Sequence, residues 1–256
     1  MTRSRLLTCA AAALALGLAS AASAPAFAQA ALAGDHVATS SGDLVIHPVN
    51  HASLLIGWGG KIVYVDPVGG AAPYAGLPAP DLILITDTHG DHLSADTLAA
   101  LPGAAPIVAP QAVKDQLPAA LQGRVQVLAA GSDATVQTVA IHALPMYNTT
   151  AARANFHPKG RGDGYVLTLG GKRVYIAGDT EPTPEMLALK NIDVAFLPMN
   201  LPYTMTIEQA ADAVKAFKPK VVYPYHYRNQ DGSQSDVKKF AELVGNAAEV
   251  RLRNWY

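Results

Sequence analysis

The chain has 256 residues, half of them apolar and 15% charged, with 19 Lys and Arg against 20 Asp and Glu. It is therefore globular and long enough for one large α/β domain, and its near-neutral balance excludes a polybasic nucleic-acid surface. Cys9 is the only cysteine; it lies in the leader described next, so neither disulfides nor thiolate metal ligands enter the mature fold.

Arg3 and Arg5 open the chain, an Ala- and Leu-rich run follows over residues 6–22, and Ala26-Phe27-Ala28 has the form of a cleavage site. Residues 1–28 read as a secretory signal peptide, with the periplasm as the expected compartment and no membrane anchor after cleavage. The apolar run is short for a membrane span and is followed by Pro25. Residues 29–42 read as an N-terminal extension and residues 43–256 as the folded domain.

Strand patterns at residues 44–47 and 53–57 open the domain. Residues 54–65 read as a hairpin around Gly59-Gly60, and residues 166–176 repeat the pattern around Gly170-Gly171. After each hairpin comes an Asp-led apolar strand (81–85 and 193–197), a helix (94–101 and 206–217) and another strand (106–109 and 220–223). Each such unit buries one sheet face under its helix, so two units stack sheet on sheet with helices outside. The spacing thus predicts a four-layer αββα sandwich built from two similar halves. Residues 124–128 and 134–144 are expected to extend the first sheet, 235–244 to form a last outer helix and 249–252 a final strand. The irregular segments 68–79, 147–164 and 227–232 are the expected rim of a site. The terminal Trp255 and Tyr256 are residues of the kind enriched at interfaces.

Between the strand at 81–85 and the helix capped by Ser94 lies Thr86-Asp87-Thr88-His89-Gly90-Asp91-His92. Residues i and i+2 of a strand share a face, so Asp87 and His89 converge on one ion, while the turn at Gly90 swings Asp91 and His92 toward a second. His89 and His92 are read as ligands because two acids share their loop. His51 and Asp66 divide evenly between hydrogen bonding to ligands and ordinary strand-end packing. His142 is read as structural, His36 and His47 receive no role, and Lys159 and Arg161 are read chiefly as solvated charge.

The pattern Asp87-x-His89-x-Asp91-His92, with Gly178-Asp179-Thr180 and His226 each after a strand, resembles the metallo-β-lactamase superfamily. Asn50-His51-Ala52-Ser53, Asp66-Pro67 and His157-Pro158-Lys159-Gly160 look like its lactonase-like and phosphodiesterase-like branch. The likeness spans about residues 43 to 228, by several spaced motifs together. It implies a second metal position of Asp91, His92 and His226, with Asp179 bridging two ions. At the first position His89 matches. Asp87 stands where the family usually has His, and Asn148 (or Tyr147) stands where it has another.

What the resemblance implies is an exported metal-dependent hydrolase in which metal-bound hydroxide attacks an ester, lactone, amide or phosphodiester of a small-molecule substrate. One or two divalent ions are expected, zinc first, with manganese or iron open because carboxylate and amide oxygen suit harder ions. An amide is a poor zinc ligand, so the first ion is expected to bind more weakly than the second. Asp91 is assigned to orient the hydroxide or take up its proton, and Asn148, Tyr147 and His51 are candidate donors to the developing oxyanion. Two rivals remain: a degenerate member that binds metal or ligand without turnover, and an iron redox protein. Substrate and oligomeric state are not encoded in any motif.

Overall fold

A computed structural model describes Met1 and residues 32–256; apart from Met1, the segment read as a signal peptide lies outside the described residues. Two seven-stranded sheets face each other. The first has the order β1 (Asp35–Thr39), β2 (Gly42–Asn50), β3 (Ser53–Trp58), β4 (Lys61–Val65), β5 (Leu82–Leu84), β6 (Ile107–Ala109) and β7 (Val125–Val127). The second runs from β8 (Asp133–Val136) through β9 (Val139–Met146), β10 (Gly162–Leu169), β11 (Lys172–Ile176), β12 (Val194–Pro198) and β13 (Val221–Tyr225) to β14 (Glu249–Val250). In both sheets the first four strands are antiparallel neighbours and the last four parallel ones. The repeat read from the sequence is therefore a repeat of topology.

Local chemistry explains its parts. Gly59 and Gly60 have φ of 58° and 76°, and Gly170 and Gly171 have 56° and 76°, so both hairpins turn through two left-handed residues, where glycine is the unstrained choice. The Asp that leads the following strand ties back to the hairpin in each half: Asp81 Oδ2 accepts Ile62 N–H and Asp193 Oδ2 accepts Arg173 N–H, both at 2.9 Å.

Side chains alternate across the first sheet. Leu54, Ile56, Leu82 and Leu84 join the core between the sheets, whereas Leu55, Tyr64, Ile83 and Ile85 pack under α1 (Ala95–Ala100), α2 (Gln111–Gln116) and α3 (Ala119–Gln122) through Leu98, Val113 and Leu121. The short helix α4 (Pro184–Leu187) precedes β12; α5 (Ile207–Phe217) and α6 (Val237–Val244) cover the second sheet through Ala210, Val214, Phe217, Phe240 and Val244. α5 begins at a capping box of Thr206 and Gln209. The result is the expected αββα order.

Three expectations change. Residues 134–144 extend the second sheet, not the first: β9 pairs antiparallel with β10 from Met146↔Gly162 to Ala140↔Thr168. Alternation identifies a strand but not the sheet it joins, and β8–β9 occupy in the second half the place of β1–β2 in the first. The first sheet begins at Asp35, within the segment read as an extension. Helices α2, α3 and α4 had no sequence reading; the first two start after Pro110 and Pro118. Trp255 is fully buried against Phe196 and Tyr225, so it belongs to this core. Among the described residues no helix is long and apolar enough to cross a membrane.

Candidate metal centre

Strand ends converge on one cavity. Asp66 follows β4, Asp87 to His92 follow β5, Asp179 follows β11, and His226 follows β13 directly. Carboxyl ends of parallel strands are where α/β sheets leave open space for ligands. Turning the chain there is costly: His51, Asp66 and His226 have φ of 54°, 44° and 47°, a left-handed backbone that non-glycine residues seldom adopt. Gly178, at φ 65°, has no alternative, since a Cβ would meet Met146 Sδ at 2.4 Å and Thr86 Cβ at 3.0 Å. That close turn delivers Asp179 to the centre.

Two sets of donors share Asp179. Asp87, His89 and His157 form one group, and His92, Asp179 and His226 another, each with its donor atoms within 4.8 Å of one another. Asp179 Oδ2 lies 3.2 Å from His157 Nε2, while its Oδ1 lies 3.4 Å from both His92 Nε2 and His226 Nε2. Asp91 Oδ2 stands 3.2 Å from His226 Nε2 and 3.4 Å from His51 Nε2. Burial pushes the Asp179 carboxyl up, but the imidazoles of His226 and His92 outweigh it and hold the group well below its ordinary value. Asp91 is lowered in the same way by hydrogen bonds from His226 and His51.

The outward hydrogen bonds of the imidazoles fix which nitrogen faces inward. His92 Nδ1 lies 2.8 Å from Asp66 Oδ2, whose carboxylate also accepts Thr86 N–H at 2.7 Å and Thr86 Oγ1–H at 2.6 Å. His157 Nδ1 lies 3.1 Å from the Tyr203 carbonyl. Carboxylates and carbonyls only accept here, so both Nδ1 atoms donate outward and both Nε2 atoms face Asp179, where each can offer a lone pair to a metal ion or, without one, take up a proton. Burial opposes that charge on His92, but Asp179 and Asp66 raise its pKa well above the ordinary value. His92 Nε2, His157 Nε2 and Asp179 Oδ1 are buried without a hydrogen-bond partner. Nitrogen and carboxylate oxygen at 3.2–3.4 Å need positive charge between them, from imidazole protons in the ion-free protein or from a metal, and a His and carboxylate donor set suits a divalent metal ion.

All six expected ligands, Asp87, His89, Asp91, His92, Asp179 and His226, come together. The first group is completed by His157 rather than by the expected Asn148. Asn148 Nδ2 donates to the carbonyls of Arg153 at 3.0 Å and Tyr203 at 2.7 Å, which also removes it as an oxyanion donor. Its backbone N–H donates to the carbonyl of His157 at 2.9 Å, so the loop brings an imidazole from nine positions later to stand beside it. In the sequence His157 stands out only as part of the motif His157-Pro158-Lys159-Gly160. Tyr147 is likewise occupied, its hydroxyl donating to Glu185 at 3.0 Å, and Lys159 pairs with the same Glu185 at 2.8 Å.

Arg161 is not solvated charge. Its Nε and one terminal nitrogen each lie 3.2 Å from an oxygen of Asp87, a bidentate clamp on the unusual ligand. Burial raises the Asp87 carboxyl, but a hydrogen bond from His89 and the charges of His92 and Arg161 overcome it and hold the group at about 2. His142 pairs with Asp133 at 2.9 Å, a structural role.

The cavity above this cluster has a volume of about 360 Å³. Besides the donors, its walls include Phe156 and Tyr203, which pack edge to face at 5.0 Å, and Asn200, Arg228 and Asn229. The rim therefore comes from the expected loops at 147–164 and 227–232, together with the turn after β12. Segment 68–79 packs instead on α1, with Gly70 N–H donating to Thr97 Oγ1 at 2.8 Å.

A family model described as "Beta-lactamase superfamily domain" matches residues 46–226. The chain is 32% identical over 213 residues to a UPF0173 metal-dependent hydrolase of Pyrococcus abyssi, covering 79% of this chain and 92% of that one. A UPF0173 metal-dependent hydrolase of Thermococcus kodakarensis is 31% identical, with the same coverage. Among solved structures, a candidate metal-dependent hydrolase from Parabacteroides distasonis is 40% identical at a TM-score of 0.78, covering 86% of this chain and 98% of that one. Igni18, a metallo hydrolase from Ignicoccus hospitalis, is 25% identical at a TM-score of 0.69, with 82% and 95% covered.

Proposed function

The chain belongs to the metallo-β-lactamase superfamily, and on that premise we propose that it is an exported, metal-dependent hydrolase acting on a small molecule through two divalent ions. The observation that carries this reading is the pair of imidazole nitrogens, His92 Nε2 and His157 Nε2, aimed at the two oxygens of one buried carboxylate and without a hydrogen-bond partner of their own. Asp87, His89 and His157 would hold one ion, Asp91, His92 and His226 the other, with Asp179 shared. Because an imidazole replaces the expected amide, the reason for a weak first position falls away. Zinc is the first choice for this donor set, with manganese or iron compatible with its carboxylates.

Bound divalent ions would lower the pKa of water to about 7 and polarise a carbonyl or phosphoryl oxygen. The chain's own groups do the rest. Asp91 faces the cavity and orients a water; its carboxyl is held too low to keep the proton at neutral pH. His51 stands over Asp91, and Phe156 and Tyr203 give the substrate an apolar wall. Esters, lactones, amides and phosphodiesters all suit such a site, and the fold does not choose among them. The test is turnover of activated esters, lactones and phosphodiesters by protein purified without chelator. Cleavage abolished by chelator and restored by zinc is expected; none on any substrate favours a binding protein. Export rests on the leader, and an exported form beginning at Gln29 is its check.

A further inference from the structure

Tyr256 touches this site from behind, through His51. Trp255, buried in the core, accepts the His51 backbone N–H on its carbonyl at 3.1 Å, and the next residue turns its ring toward the His51 side chain. The Tyr256 hydroxyl oxygen accepts two backbone N–H groups, from Tyr227 and Arg228, each at 3.0 Å. It also lies 2.7 Å from His51 Nδ1. The Arg228 guanidinium stacks over the Tyr256 ring at 3.9 Å and holds it in place.

A hydroxyl has one proton to give and two lone pairs to offer. Amide N–H groups can only donate, so Tyr227 and Arg228 take both lone pairs. Toward His51 the hydroxyl then has a single role left, that of donor. Nδ1 must accept, and a neutral imidazole that accepts at Nδ1 carries its proton on Nε2. This Nε2–H faces Asp91 Oδ2 at 3.4 Å and opens on the cavity.

His51, Asp91 and His226 lie close enough together to pass for a third cation site. A ligand nitrogen must offer a lone pair, however. For His51 Nε2 to do so, Nδ1 would need the proton, three N–H groups would crowd one hydroxyl oxygen, and the hydroxyl proton would lose its acceptor. His92 shows the opposite arrangement: a carboxylate behind its Nδ1 accepts that proton and leaves Nε2 facing Asp179, open to a metal ion.

We propose that Tyr256 is a positioning residue that fixes His51 as its Nε2–H tautomer, which takes His51 out of the set of metal ligands and makes it a proton-bearing donor toward Asp91 and the cavity. What His51 then donates to during turnover rests on the hydrolase reading above; its tautomer does not.

The test is long-range proton–nitrogen correlation NMR on zinc-loaded and chelator-treated protein labelled with ¹⁵N-histidine, with His51 identified by the signals missing in His51→Gln. The expected result is a pyridine-type Nδ1 and a protonated Nε2 on His51 in both samples, and proton density moved onto Nδ1 in Tyr256→Phe. A wild-type His51 protonated at Nδ1, or an Nε2 that shifts with zinc as a ligand does, overturns the proposal. So does a Tyr256→Phe protein in which His51 stays wholly Nε2–H. If that variant does not fold, coupling across the hydrogen bond from the Tyr256 hydroxyl proton to His51 Nδ1 in the wild type supports the assignment, and a one-bond proton on Nδ1 overturns it. Zinc that moves no histidine while His51 is Nε2–H supports the tautomer and sinks the metal reading, so the two failures are distinct.

Discussion

Asp66 Oδ2 and His92 Nδ1 lie 2.8 Å apart, with both side chains fully buried. The aspartate does not itself reach the candidate metal position; it decides which nitrogen of His92 does. Partners of this kind typically govern metal affinity by 10–100-fold. Asp66→Asn is therefore expected to weaken zinc binding by about 10-fold or more with every ligand in place, as read by competition with a chromophoric chelator. Unchanged affinity would assign Asp66 to packing alone.

His157 and Asn148 separate cleanly by substitution. His157→Ala is expected to lose about one equivalent of metal, because it removes one of three donors from the first group. Asn148→Ala should keep its metal but lose about 1–3 kcal/mol of stability, since two backbone carbonyls lose their donor. Metal content and denaturant unfolding, measured on both variants, check this; the reverse pattern would return the ligand role to Asn148.

Arg161 balances Asp87 wherever no divalent ion does so. Arg161→Met is expected to destabilise the metal-free protein at pH 7 by about 2 kcal/mol or more, because it strips a buried carboxylate of its one permanently charged partner. Added zinc should restore most of that loss. Equal destabilisation with and without zinc, in paired unfolding curves, would contradict the clamp.

Asp163 gives the pH dependence its sign. Burial raises its carboxyl to about 7, and no hydrogen bond or ion pair to that carboxyl is present among the described residues. The folded protein thus keeps a proton that the unfolded chain releases above about pH 4, and stability falls as pH rises from there through about 7. Asp163→Asn is expected to match the wild type near pH 4 and to exceed it at pH 8 by on the order of 1–3 kcal/mol. Unfolding free energies at the two pH values test this, and a variant no more stable at pH 8 would contradict it.

Much of this was legible because the sequence repeats itself. Gly59-Gly60 and Gly170-Gly171 mark equivalent hairpins, Asp81 and Asp193 tie equivalent strands back to them, and the acid and imidazole run from Asp87 to His92 lies where a strand must end. Four features were hidden for identifiable reasons. His157 sits nine residues beyond the expected ligand, and only the return of the 147–161 loop brings it beside Asn148. The strands β8 and β9 alternate correctly but carry no mark of their sheet. Tyr256 reaches His51 across 205 residues, a separation that no local pattern records. The Arg161 clamp belongs with these, since a charge in a Gly-rich loop looks solvated until its partner is placed.

The central claim is a pair of divalent ions shared by Asp179. Elemental analysis of the protein purified without chelator, beside its Asp179→Ala variant, tests it most directly. About two equivalents of metal in the wild type, falling sharply in the variant, is the predicted result. One equivalent or none in the wild type, or a variant that keeps its metal, would contradict it.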